Sequence, residues 1–193
     1  FFDDDTFVTN DQIDINKLNE TINKRFPNIN ESAFLVLDWE GKTYDNLFNK
    51  QNYKSALSQF ISAIDIIKKK RPNIKVGYYG FPSREFWNAD DTWRTKNHLL
   101  APLYKKMDFI ANSIYMFYTD AEIKSSLNTK YIEENMQLAL TIGKMYNKPV
   151  FPVIWHRNHP SNKKFGLMKI PFVAFENYIY EVLNASVNGK KIS

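Results

Sequence analysis

Residues 33–41 read Ala-Phe-Leu-Val-Leu-Asp-Trp-Glu-Gly. The apolar run over 33–37 is short, rich in residues that favour strands and followed by polar residues, which predicts a largely buried β-strand. Two carboxylates, Asp38 and Glu40, come directly after it. The stretch therefore predicts a core strand with a candidate reactive site at its C-terminal end.

Three more runs of this kind follow at 74–79, 109–117 and 150–155, and helical patterns surround them. Apolar residues at helical spacing predict a helix whose last turn is rich in lysine and which ends before Pro72, and a second helix that ends before Pro149. An earlier helix is predicted over Asp14–Arg25. A further helix is predicted to begin at Pro171 and to stop at Gly189. Its expected buried side is formed by Phe172, Phe175, Ile179, Val182 and Leu183.

Strands that alternate with helices predict parallel pairing through crossover connections. The strand starts at 33, 74, 109 and 149 lie 41, 35 and 40 residues apart in a chain of 193 residues. A complete eightfold barrel built from such units would need roughly 300 residues. We therefore expect one α/β domain over 1–193, a parallel (β/α) TIM-type barrel that is incomplete or distorted, with an open doubly wound sheet as the alternative.

Both ends of the chain fit a barrel that is cut short. Residues 1–5 read Phe-Phe-Asp-Asp-Asp, like the tail of an earlier strand and its loop. Residues 188–193 read like the turn into a later strand. No basic and apolar leader precedes Phe1, so we expect any signal peptide to be absent or removed. For a protein of this kind we expect a secreted or periplasmic location.

Composition excludes several classes of protein. The chain is 44% hydrophobic and 16% aromatic, which rules out a disordered chain, and it contains no cysteine for disulfides, thiolate catalysis or cysteine-bound metal. No apolar run is long enough for a membrane span. The net charge of +5 comes partly from the run Lys68–Arg71, which is typical of a solvated helix end; attraction for an anionic polymer is the alternative. No nucleic-acid motif accompanies the charge.

The carboxylate pair suggests acid–base chemistry. Residues two apart on a strand point the same way, so Asp38 and Glu40 are expected to project together. Their repulsion would raise one pKa and place a protonated acid beside an ionised base, as glycosidic cleavage requires. The alternative is a helix cap at Asp38 and a solvated loop residue at Glu40.

Aromatic residues gather at the ends of the other predicted strands. The second strand ends Gly-Tyr-Tyr-Gly-Phe-Pro over 77–82, the third contains Ser-Ile-Tyr over 113–115, and the fourth ends in Trp155. Tyrosine and tryptophan rings stack on the apolar faces of sugars, so these residues fit a sugar-binding cleft. Core packing of the same rings is the alternative.

These motifs, in this order and spacing, resemble the hyaluronidase family of glycoside hydrolases. The resemblance covers about Ala33 to Arg157 and implies a distorted barrel that hydrolyses internal β-N-acetylhexosaminide bonds with retention, the substrate's acetamido group acting as nucleophile. It further implies that Glu40 is the general acid and then base, that Asp38 orients the acetamido group, and that Tyr79 and Tyr115 hydrogen-bond around the reacting sugar. The expected substrate contacts are Trp155, Tyr78, Trp39, Arg84 and Trp87.

The sequence also departs from that family. Where the family continues into Trp-Arg-Pro, this chain has Gly41-Lys42-Thr43, and the family's disulfides are absent. We therefore expect a bacterial relative that acts on an oligosaccharide or polysaccharide other than hyaluronan, with an anionic glycan still allowed. No cofactor is expected, and the oligomeric state is left open.

Other sites and functions were weighed against this one. His156 and His159 with Asp3, Asp4 and Asp5 form a conceivable metal site, but a solvated histidine loop is the stronger interpretation and no metal is expected. A non-catalytic carbohydrate-binding protein on a degenerate barrel is one alternative function. A glycosidase of another barrel family is a second, which would use Asp120 or Glu122 as the partner carboxylate.

Overall fold

Two of the predicted strands pair side by side in a parallel sheet. The computed structural model describes residues 1–187 and 190–191, and the chain divides into two units. The first unit contains Phe1–Tyr79 and Lys96–Phe109; the second contains Gly80–Thr95 and the residues from Ile110 onward.

The first unit is a three-stranded parallel sheet with helices against it. The three strands of the sheet are β1 (Phe2–Asp3), β4 (Phe34–Asp38) and β5 (Lys75–Tyr78). Between β1 and β4 in the chain, β2 (Val8–Thr9) and β3 (Gln12–Ile13) form a separate antiparallel pair. The helices are α1 (Ile15–Arg25), α2 (Lys42–Asn46), α3 (Tyr53–Lys70), the C-terminal end of α4 (Asp91–His98) and α5 (Ala101–Lys106). The sheet order is β1-β4-β5, with β4 in the centre.

The strand alternation in β4 determines which side chains enter the core. Leu35, Leu37 and the following Trp39 are at most 2% exposed, and Phe60 of α3 stacks on Trp39 with ring centroids 4.6 Å apart. Asp38 alternates with these residues and belongs to the opposite face. The packing of α3 on one face therefore leaves Asp38 on the other.

A glycine in β5 allows close packing against that sheet. An added Cβ at Gly77 would lie 2.5 Å from the ring of Phe109, which is 1% exposed. A side chain at this position would force the ring or the strand to move. The glycine of the Gly-Tyr-Tyr motif therefore has a structural role, which is to leave room for the Phe109 ring.

The second unit is dominated by two helices, α6 (Ser125–Tyr146) and α7 (Phe172–Asn184). Helix α6 ends at Asn147, whose left-handed φ of 54° terminates the helix before Pro149. Two short strands, β6 (Ser186–Val187) and β7 (Lys190–Lys191), pair antiparallel after α7. In the described part of the chain, no helix is long and apolar enough to cross a bilayer.

Most of the predicted helices and the first two strands are confirmed. Helix α1 begins after Asp14, whose carboxylate accepts a hydrogen bond from the Lys17 N–H at 3.1 Å, and α3 ends in lysines as expected. The opening residues form the predicted tail of a strand, since β1 pairs parallel with β4. The predicted stop at Gly189 and most of the closing turn lie outside the described residues.

The third and fourth predicted strands need correction. Over 109–117 and 150–155 the structure has only isolated parallel bridges, Ile110 with Val150 and Ser113 with Val153. Backbone hydrogen bonds nevertheless connect the two segments, because the Phe151 N–H donates to the Ile110 carbonyl and the Val153 N–H to the Asn112 carbonyl, each at 2.8 Å. The described residues contain a parallel sheet and helices but no closed barrel of strands.

One predicted helix face is also wrong in part. In α7 the buried residues are Tyr178 and Val182, whereas Phe172 is 74% and Leu183 is 56% exposed. The helical spacing identified the helix, but it did not identify how much of its apolar surface is covered.

Candidate active site

Asp38 lies at the centre of a row of polar side chains that crosses the sheet of the first unit. Its direct neighbour on β1 is Asp3, because the register pairs these two residues. On the other side Leu37 pairs with Tyr78, and the N–H of Tyr79 donates to the Leu37 carbonyl at 2.9 Å. This bond continues the register by one residue, so Tyr79 is the neighbour of Asp38 on the β5 side.

The electrostatic surroundings of Asp38 favour its protonated form. Burial, followed by the charges of Glu40, Asp3 and Asp4, raises the pKa of Asp38 to about 6. Its Oδ1 atom is buried and has no hydrogen-bond partner among the described residues. A carboxyl group of this kind can accept a hydrogen bond from a ligand and can change protonation state near neutral pH.

Glu40 lies two residues further along and is exposed. Its charge contributes to the raised pKa of Asp38, which is the interaction expected of two carboxylates on one face. The glycine that follows, Gly41, has a φ of 77°, and α2 begins at Lys42. The chain therefore turns away directly after the pair and leaves Glu40 open to a ligand.

Two of the expected substrate contacts belong to the core instead. Trp39 is 2% exposed, stacked on Phe60 and contacted edge-on by Phe7 at 5.5 Å. Tyr78 is 0% exposed, and its hydroxyl donates to the Phe60 carbonyl at 2.9 Å. Both residues occupy the strand positions that face α3, so we remove them from the proposed substrate surface.

The second unit holds Tyr115 and Trp155 together in a half-buried aromatic cluster. Their ring centroids are 5.6 Å apart. The Arg84 guanidinium lies 5.7 Å from the Tyr115 ring centroid and 4.8 Å from that of Phe117, in cation–π contact. The expected site residues Tyr115, Trp155 and Arg84 are therefore neighbours within this unit.

His159 belongs to the same cluster, and the prediction that it lies in a solvated loop is wrong. Its Nε2 atom is 2.8 Å from Arg84, which also donates to the Ser113 hydroxyl, and its ring packs 4.7 Å from Phe117. Burial, with Arg84 as the second cause, lowers the pKa of His159 to about 4. The imidazole is therefore neutral at pH 7 and accepts the Arg84 hydrogen bond.

We expect Arg84→Gln to raise the pKa of His159 towards its ordinary range, because the substitution removes the neighbouring positive charge. The rise should be partial, since the burial of the ring remains. NMR titration of the His159 ring protons measures it. A midpoint that stays near 4 in the variant would show that Arg84 has no influence on the imidazole.

The carboxylates considered as alternatives have structural partners. Glu122 Oε2 accepts hydrogen bonds from the N–H and hydroxyl of Thr119 and from Asn162, at 2.9, 3.2 and 2.8 Å. Asp120 accepts one from Asn128 at 2.9 Å. These contacts hold the loop before α6, so neither carboxylate needs a catalytic role to explain its position.

Trp87, the last of the expected contacts, is 57% exposed in the second unit. Two neighbours were missed by the sequence analysis, Asp3 beside Asp38 and His159 beside Arg84. Asp3 could have been found from the sequence, because residues 1–5 were expected to end a strand, and a strand beside β4 brings its last residue next to Asp38. No local pattern in the sequence connects His159 with Arg84, which lies 75 residues away.

The fold of this chain is similar to folds seen in solved structures. No family model matches the sequence, and no curated protein matches it. A crystal structure of bee venom hyaluronidase is similar over 89% of this chain and 66% of that one, with a TM-score of 0.69 and 15% identity. A second, of bee venom hyaluronidase in complex with hyaluronic acid tetramer, matches over 88% and 64%, with a TM-score of 0.68 and 15% identity.

This chain thus spans about two thirds of the length of those proteins. At this identity the likeness concerns the fold alone. The expected fold is confirmed at that level: a mixed α/β fold with a parallel sheet and helices, similar to that of a hyaluronidase.

Proposed function

We propose that the chain is the carboxylate-bearing part of a glycoside hydrolase that cleaves β-N-acetylhexosaminide bonds with retention of configuration. The observation that carries the proposal is the end of β4. There Asp38 lies between Asp3 and Tyr79 and has a pKa raised to about 6. Glu40 follows two residues later, and its charge contributes to that rise. The fold's similarity to bee venom hyaluronidase supports the same assignment.

In the proposed first step, the Glu40 carboxyl group donates a proton to the glycosidic oxygen as the bond from C1 to that oxygen breaks. The acetamido carbonyl oxygen of the same sugar attacks C1 and forms a five-membered ring, and the leaving sugar departs with the proton. Asp38, which is ionised above about pH 6, accepts a hydrogen bond from the acetamido N–H and stabilises the positive charge of the new ring.

In the proposed second step, Glu40 is a carboxylate and removes a proton from water. The water oxygen attacks C1 from the face that the leaving sugar occupied, the ring opens, and the acetamido group is restored. Two inversions at C1 give net retention. In the first unit Tyr79 would hydrogen-bond to the acetamido group. The aromatic cluster of the second unit, with Tyr115, Trp155 and Arg84, is by itself a proposed contact surface for sugar rings.

The substrate class follows from this chemistry: an oligosaccharide or polysaccharide that contains N-acetylhexosamine. Because Gly41 and the start of α2 replace the Trp-Arg-Pro segment, we propose a glycan other than hyaluronan. A polymeric substrate would also require a secreted or periplasmic enzyme. The test is hydrolysis of 4-nitrophenyl N-acetyl-β-hexosaminides and of hyaluronan and chitin oligomers, followed by absorbance and mass spectrometry.

One observation favours a second candidate, a non-catalytic carbohydrate-binding protein. Glu40 is exposed, whereas a general acid is often held in a less solvated place. Under this alternative, calorimetry detects glycan binding and no product forms over days. Release of 4-nitrophenol or of shorter oligosaccharides would exclude it.

A further inference from the structure

Trp87 is the most exposed of the four tryptophans, at 57%, compared with 2% for Trp39 and 7% for Trp93. Its indole is nevertheless supported on one side. The Phe86 and Tyr118 rings contact it with centroids 4.7 and 5.5 Å away. The other side of this large apolar ring is open to solvent.

The backbone that carries Trp87 is held in place by a neighbouring carboxylate. One oxygen of Glu85 accepts hydrogen bonds from the N–H groups of Phe86, Trp87 and Asn88 at 2.9, 3.0 and 3.2 Å. Glu85 is itself anchored to Asn135, a side chain that is 3% exposed. The Glu85 N–H donates to Asn135 at 2.9 Å, and Asn135 donates to the Glu85 carbonyl at 2.8 Å. An exposed indole on such a fixed turn loses little freedom when a ligand binds.

Trp87 is one of the residues that line a cavity of about 290 Å³ within the second unit. Its polar side chains are those of Asn88, Asp90, Lys130 and Glu134. Glu134 is paired with Arg94, and Asp90 accepts the Trp93 N–H at 2.8 Å, so both carboxylates are fixed. Their charges are balanced by Lys130 and Arg94, which gives a cavity without a strong excess of either sign.

This combination matches the chemistry of a neutral sugar ring. The apolar C–H face of a pyranose stacks on an indole, and its hydroxyl groups pair with carboxylate, amide and ammonium groups at the rim. The cavity is near the lower end of the usual range for ligand pockets, about 300–1,000 Å³, which suits a single ring. A protein partner would favour a broader apolar surface than one indole in a polar rim.

We propose that Trp87 is the platform of an accessory sugar-binding subsite that takes a neutral hexopyranose unit of the substrate, with Glu85 as the positioning residue of its turn. This inference rests on the proposed carbohydrate function. It concerns binding of a glycan, whereas the proposed function concerns cleavage, so the two can fail separately.

The test measures binding of a hexamer of β-1,4-linked N-acetylglucosamine by calorimetry, in a Glu40→Gln background so that cleavage does not interfere. We expect Trp87→Ala to weaken binding about tenfold and Trp87→Phe, which keeps an aromatic face, to weaken it about threefold or less. Tyr180→Ala is the matched control, because Tyr180 is an exposed aromatic residue on α7 at 69% exposure. Its affinity should equal that of the parent.

The role of Glu85 is separated from simple folding effects by a pair of variants. Glu85→Ala should weaken hexamer binding, whereas Glu85→Gln keeps an acceptor oxygen and should restore most of the affinity.

Three results would overturn the inference: no hexamer binding by the parent, equal affinities in the parent and Trp87→Ala, or equal losses in Trp87→Ala and Tyr180→Ala. Absence of turnover with intact, Trp87-dependent binding would instead refute the proposed cleavage and leave the subsite in place.

Discussion

Glu40→Gln should reduce the hydrolysis of 4-nitrophenyl N-acetyl-β-hexosaminides by about 10²–10⁴-fold, because the amide keeps the shape of the side chain but has no acidic proton for the glycosidic oxygen. The loss should appear in kcat, with KM changed little, since Glu40 acts on the transition state rather than on substrate affinity. Initial rates at saturating and subsaturating substrate measure both constants.

Glu133→Gln is the matched control for this experiment. Glu133 is an exposed glutamate on α6, and its substitution makes the same chemical change at a position without a proposed role. We expect rates equal to those of the parent. If Glu40→Gln and Glu133→Gln are equally active, Glu40 is not the proton donor.

Asp38→Asn should make the folded chain more stable at pH 8 while it removes activity. The pKa of Asp38 is raised from 3.8 to about 6 in the folded state, so its ionisation opposes folding. The favourable contribution of the protonated carboxyl is fully present below about pH 4 and is lost as the pH rises through 6. Because the group is partly exposed, solvent screening reduces the effect to ~1–2 kcal/mol in the free energy of unfolding.

The pH dependence supplies the internal control for this prediction. Denaturant unfolding of the parent and of Asp38→Asn should give a difference that is near zero at pH 4 and reaches its plateau above pH 7. Turnover should fall by about 10²-fold at every pH where the parent is active, because the neutral amide cannot stabilise a positive acetamido group. A variant that is less stable than the parent at pH 8 would contradict this account of Asp38.

Local pattern predicted the parts of the fold that depend on neighbouring residues. The run over 33–37 became β4, and the helical spacing of Leu57, Phe60 and Ile64 became α3. The same period of two that places Asp38 with Glu40 also turns Trp39 to the opposite face. Strict use of that period would have assigned Trp39 to the core.

Contacts between distant segments could not be predicted in this way. Tyr78 and Tyr79 are adjacent tyrosines, and the register with β4 decides that the first packs under Phe60 and the second lies next to Asp38. Arg84 pairs with His159 because the loop that carries His159 lies beside the segment that contains Ser113, which Arg84 also contacts. No local spacing encodes such a contact.

The account requires that hydrolysis proceeds with net retention at C1 and with Glu40 as the proton donor, and the anomer that is released first tests both points. Proton NMR spectra recorded within minutes of adding enzyme to an N-acetyl-β-hexosaminide distinguish the two anomers before they equilibrate. We predict that the β-anomer forms first and that Glu40→Gln forms neither. Initial release of the α-anomer, or hydrolysis that does not depend on Glu40, would contradict the mechanism.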